Sequence, residues 1–138
     1  MAIINMQTMR YINLLDRESR VKTSKCFVYN NTIYFAVPPE KISKAIGPNA
    51  NNIRRLQEQI GKKIRIIKKV GNKEDAGKFV QEIVAPVRFK SVDINDNVVI
   101  ITAGSNQSKA SLIGRDKRRL LELSKILKDL FDFDLKII

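Results

Sequence analysis

Ile46-Gly47-Pro48-Asn49-Ala50-Asn51-Asn52-Ile53-Arg54-Arg55-Leu56 recurs 67 positions later as Ile113-Gly114-Arg115-Asp116-Lys117-Arg118-Arg119-Leu120-Leu121-Glu122-Leu123. Each copy holds an apolar residue, a glycine that reads as a helix–helix junction, and a following helix. The apolar positions of that helix fall three apart beneath a row of arginines. A bare stretch of main chain flanked by cations suits a polyanion, and the chain carries it in duplicate.

Working outward from the first copy, Met9, Ile12 and Leu15 space out a short amphipathic helix within residues 6–17. Cys26-Phe27-Val28-Tyr29 and Thr32–Val37 read as two strands joined by an Asn30-Asn31 turn, and Pro38-Pro39 stops the sheet. A short helix from Pro39 or Glu40 to Ile46 is expected to close at Gly47 in the left-handed conformation. Asn51 or Asn52 then caps a second helix with an inner face of Ile53, Leu56 and Ile60, ended by Gly61. Residues 64–70 complete the copy as a third strand.

The polar stretch 71–76 reads as a linker between a first domain, 1–70, and a second, 77–138. The second repeats the order: a helix over 77–84 up to Pro86, a strand over 87–94, an Asp96-Asn97 turn and a return strand over 98–103. Helices over 107–113 and 117–128 follow, and the strict alternation of Phe131, Phe133, Leu135 and Ile137 reads as a closing strand. A constant 67-residue offset sets Phe27 on Ile94, Ile64 on Phe131, Ile66 on Phe133 and Val70 on Ile137. The expected fold is α+β: two tandem α-β-β-α-α-β modules, each with helices on one face of a three-stranded sheet.

The chain has 138 residues, 43% of them hydrophobic, enough for one ordinary domain or two small ones with cores of their own. Its 26 Lys and Arg against 14 Asp and Glu leave a formal charge of +12, which points to nucleic acid. No apolar run approaches the roughly 20 residues of a spanning helix, and the N-terminus has no signal-peptide pattern, so a soluble, cytoplasmic protein without a membrane partner is expected. A single Cys26 and no histidine leave no internal disulfide, no Cys/His zinc site and no histidine-based triad. Residues 71–78 miss the P-loop pattern, because five residues separate the glycines and Phe79 stands where Ser or Thr belongs. Glu74-Asp75 and Asp129, Asp132 and Asp134 read as solvated charges. No enzyme activity, cofactor, metal or small-molecule substrate is expected.

A polyanion strand can approach the loop only where the backbone is uncluttered, and Gly47 and Ala50 are the smallest residues there. The start of the following helix faces the same way with a positive dipole end, for which phosphate is the natural guest. Lys44, Arg54 and Arg55 add charge to the first loop; Arg115, Lys117, Arg118 and Arg119 add it to the second. Ile42, Ala45, Ile46 and Ile53 read as plain core. The interleaved strand 62–69 either extends the basic track or is an edge strand protected by lysines. Tyr29, Tyr34 and Phe35 read as core rather than as stacking platforms.

The element order, with Ile-Gly-x-x-small-x-x-Ile at the junction of its last two helices, resembles the type II KH domain. Two such domains with almost nothing else resemble the archaeal NusA-type transcription factors. The resemblance covers essentially the whole chain. It implies that a Gly-x-x-Gly loop clamps about four nucleotides of single-stranded RNA backbone, and that an apolar groove, for whose wall Ile42, Ala45, Ile46 and Ile53 are the candidates, meets the bases. Carried over, the clamps are Gly47-Pro48-Asn49-Ala50, behind Ile46, and Gly114-Arg115-Asp116-Lys117. Both depart from the pattern: Ala50 and Lys117 replace the second glycine, and Asp116 places a negative charge in the second loop. The function implied is non-catalytic RNA binding in transcription elongation, termination or antitermination, with RNA polymerase as a further partner. The alternatives are a ribosomal or ribosome-assembly factor, and a scaffold that docks on RNA polymerase without strong RNA binding.

Overall fold

A computed structural model describes residues 6–69 and 72–138, which fall in two compact units. In the first, α1 (Met6–Ser19) precedes the hairpin of β1 (Lys25–Tyr29) and β2 (Thr32–Val37). Asn30 and Asn31 have φ of 50° and 58°, which only residues tolerant of the left-handed region supply cheaply in a two-residue turn. A 3-10 turn, Pro39–Lys41, leads into α2 (Ile42–Ile46), and the loop around Gly47 leads into α3 (Asn51–Ile60). The chain returns as β3 (Lys63–Lys68), parallel to β2, so β2 is the central strand.

Tyr11 and Leu15 of α1, Ala45 of α2 and Leu56 of α3 pack with Ile33, Phe35 and Val37, the alternate residues of β2 that share one face. Ile64 of β3 joins them, with Ile42, Ile53 and Ile66 partly buried against the cluster. Cys26 is half-buried there too, and burial pushes its thiol up from an ordinary 9.0 to about 12.

The second unit has the same element order: α4 (Ala76–Val84), β4 (Ser91–Asn95), β5 (Val98–Thr102), α5 (Asn106–Ile113), α6 (Arg118–Phe131) and β6 (Asp134–Ile137). β4 runs antiparallel and β6 parallel to the central β5. Val99, Ile101, Leu112, Leu123 and Leu127 are completely buried. The stretch read as a linker holds a 3-10 turn, Lys73–Asp75, and its last residue, Ala76, opens α4 and is buried; Val70 and Gly71 lie outside the described residues.

Three expectations are corrected. The strand expected over 87–94 is shorter at its start, because β5 offers β4 only five partners, Ser91 opposite Thr102 being the outermost. Phe131 is not in a strand: it closes the buried stripe Leu123, Leu127, Phe131 of α6, and Asp132 ends that helix with φ of 59°. The constant offset also fails. Counted from the two hairpin turns, Phe27 corresponds to Asp93, opposite Ile100, and Ile64 corresponds to Leu135, opposite Val99. α6 has 14 residues against 10 in α3, about one additional turn, and this displaces everything beyond it.

Candidate nucleic-acid interface

The two glycine loops have one backbone conformation. Gly47 and Gly114 take φ/ψ of 80°/166° and 75°/172°, a region essentially reserved to glycine. This is not the left-handed helical conformation that the sequence suggested for Gly47. That conformation falls instead on Asn49 (54°/30°) and Ala50 (59°/28°), and on Asp116 (54°/31°) and Lys117 (60°/22°). Hydrogen bonds repeat as well: the Gly47 amide donates to Ser43 and the Gly114 amide to Ala110, both at 2.9 Å. The Ala50 amide donates to the Gly47 carbonyl at 3.1 Å, and the Lys117 amide to the Gly114 carbonyl at 3.2 Å.

Asn49 and Asp116 suit this conformation because short polar side chains tolerate it best after glycine. Ala50 and Lys117 hold it at a cost of roughly 1–2 kcal/mol each. No side chain at either glycine would fit. A Cβ on Gly47 would lie 2.8 Å from Cγ of Asn52, and one on Gly114 would lie 2.5 Å from Cγ of Arg119.

Asn51 and Asn52 do not cap α3: Ala50 stands at its N-cap and no side chain accepts a capping hydrogen bond. Instead Asn52 Nδ2 donates to the Lys44 carbonyl at 3.1 Å, tying the start of α3 to the end of α2. Arg54 donates from its guanidinium to the Asn49 carbonyl and so braces its own loop. Lys44, Pro48 and Asn49 are exposed, and Ile46, Gly47 and Ala50 half-buried. Arg55 stands apart, with its guanidinium 3.8 Å from Glu18 on α1 and its side chain 62% exposed.

Around the second loop Arg115, Asp116, Lys117 and Arg118 are exposed, and Gly114 is half-buried. Most of the cations here sit within the loop and at the start of α6; on the preceding helix Ser111 takes the place of Lys44, and the exposed Lys109 lies half a turn earlier. Arg119, read from sequence as one of the basic residues of the second loop but not among its assigned contacts, is bonded to Glu122 one turn on. The clue to both Asn52 and Arg119 is positional: each is the second residue of the helix that follows a glycine loop.

Ala45 is completely buried and Ile42 and Ile53 pack on the core, so only Ile46 of the candidate groove residues lies outside that cluster and half open. β3 is an edge strand with Lys63, Arg65 and Lys68 exposed. Arg65 lies over the Tyr34 ring at 5.7 Å. Tyr29, Tyr34 and Phe35 are buried and present no free ring faces for bases. Among the described residues no helix is long and apolar enough to cross a membrane, and no group of three or more Cys, His, Asp or Glu is placed to hold a metal ion.

The KH domain family matches residues 32–112, a span from β2 to α5 that contains the first loop and stops just short of the second. Probable transcription termination protein NusA of Halococcus morrhuae is 23% identical over 128 residues, covering 91% of this chain and 90% of that protein. The protein of the same description from Methanocaldococcus jannaschii is 25% identical over 120 residues, 85% of this chain and 64% of that protein's length. The crystal structure of APE1850 superimposes with a TM-score of 0.63 over 98% of this chain and 100% of its own, at 24% identity, which is a likeness of fold.

Proposed function

The chain belongs to the KH domain family, and from that premise we propose that it is a non-catalytic binder of single-stranded RNA. Both units are read as type II KH modules in tandem, domains 1–70 and 77–138 about a linker at 71–76. Each loop clamps a short run of RNA backbone. The contacts assigned to the first are Lys44, Ile46, Gly47, Pro48, Asn49, Ala50, Arg54 and Arg55; to the second, Gly114, Arg115, Lys117 and Arg118. Arg55 serves as a long-range charge, because its guanidinium leans toward Glu18.

The observation that carries this reading is the recurrence of one costly loop conformation beside exposed cations. Strained backbone persists where the surroundings hold it, and it clusters at ligand sites. The biological setting is transcription elongation, termination or antitermination in the cytoplasm. It is supported by the description of the Halococcus and Methanocaldococcus relatives as probable transcription termination proteins.

Replacing Pro48 and Asn49 together with Asp sets two carboxylates where phosphates are to sit. Binding of a short single-stranded RNA by the first loop is then lost while the circular dichroism spectrum is unchanged. Unaltered RNA affinity in that variant refutes the clamp. Retention of RNA polymerase by a wild type that holds RNA no more tightly than this variant favours the docking-scaffold alternative, and co-sedimentation with ribosomal particles favours a ribosomal role.

A further inference from the structure

Asn52 and Arg55 of the first unit are replaced in the second by Arg119 and Glu122, at the same distances from the loop glycine. The exchange changes the chemistry beneath the loop. Asn52 fills the space beside Gly47 and anchors it to Lys44 through a neutral hydrogen bond. Arg119 fills the corresponding space with its aliphatic stem, against Gly114, and carries a full charge into it. Its guanidinium is engaged by Glu122, the two side chains being 22% and 27% exposed. The second loop therefore has a cation rooted at the clamp glycine and a carboxylate that neutralises it.

We propose that Arg119 is a phosphate ligand of the second loop, held in reserve by Glu122, and that this pair sets the second loop to a weaker grip than the first. The inference rests on the reading of both loops as backbone clamps. Carboxylate and phosphate each offer a guanidinium two acceptor oxygens, so one replaces the other without new geometry. The pair joins neighbouring positions of one helix and is still partly open to solvent, so a polyanion can compete with the carboxylate for the guanidinium. Asp116 adds a second negative charge to the loop that the first loop lacks. Glu122 also repels the incoming strand directly, so removing its charge strengthens binding through two effects of one sign.

The test uses the full chain with the first loop silenced by Pro48→Asp and Asn49→Asp, titrated with a short single-stranded RNA of mixed sequence across a range of salt. Glu122→Gln tightens binding by roughly three- to tenfold and steepens the log–log salt slope by about 0.7, the value for one further phosphate. Arg119→Gln weakens binding, and combined with Glu122→Gln it removes the gain. Glu122→Ser replaces the Gln variant should that one unfold. The inference falls if a folded Glu122 variant shows neither change, if the gain survives without Arg119, or if the silenced chain binds no RNA with Glu122 replaced. In all three cases, RNA binding by the wild type through its first loop leaves the wider reading standing. A wild type that binds no RNA removes both.

Discussion

Ala50 and Lys117 carry side chains on a left-handed backbone, whereas Gly47 and Gly114 occupy a region closed to any side chain. Substitution therefore has opposite signs at neighbouring positions. Ala50→Gly relieves strain and stabilises the first unit by about 1 kcal/mol, read as a higher midpoint in urea. Gly47→Ala meets both the unfavourable φ and the Asn52 side chain, and destabilises by about 1–3 kcal/mol. Cys26 provides a second test at this scale. Its thiol is raised to about 12, so it remains protonated at neutral pH and reacts slowly with disulfide reagents until the protein unfolds. Because the folded value lies above the ordinary 9.0, its contribution to stability is complete below pH 9.0 and is lost as the pH rises toward about 12. A Cys26→Ala variant lacks that component of alkaline destabilisation in urea titrations at pH 9 to 12. The positive φ values at residues 50 and 117 were not legible in the sequence, since Ala and Lys do not advertise them; those at 49 and 116 fall on Asn and Asp, which tolerate them. Only the loop closure between two packed helices imposes them.

Most elements were legible because their apolar spacing and turn residues agree: Asn30-Asn31 and Asp96-Asn97 mark the hairpins, and Pro38-Pro39 ends β2. Failures occurred where two periodicities overlap. Phe131 fits an alternating strand with Phe133 and Leu135, yet it also follows Leu127 at helical spacing, and tertiary burial selected the helix. Its ring meets Phe79 edge-on at 5.4 Å and Phe133 at 5.8 Å, contacts no local pattern specifies. The α2–α3 junction is likewise decided in space, because Asn52 reads as an N-cap and acts as a tie across the loop. Asn52→Ala removes that hydrogen bond at a cost of about 0.5–1.5 kcal/mol. Faster hydrogen exchange of the Ala50 amide and weaker RNA binding are expected to accompany it. Unchanged exchange at Ala50 in the variant shows that the loop holds its shape without the tie.

Across the whole molecule, a charge of +12 makes affinity for any polyanion dependent on salt, so the slope is more informative than the dissociation constant. If the two loops together neutralise about six phosphates of a single strand, the log–log slope is near −4. Silencing one loop flattens it in proportion to the phosphates that loop held, and a slope unchanged by either loop variant places the contacts elsewhere. On the proposed reading, two weak grips on one chain add up because the first contact raises the effective concentration of the second. The sequence by itself determined the strongly basic charge, the α+β class, the duplicated glycine loop and the absence of histidine chemistry. All of these follow from composition and from patterns spanning a few residues. The tertiary structure alone decided where α6 ends, which strand positions correspond in the two units, and what lies beneath each glycine. Those depend on side chains that meet only after the chain has folded, when Asn52 and Arg119 reach corresponding places and bring a neutral amide to one and a cation to the other.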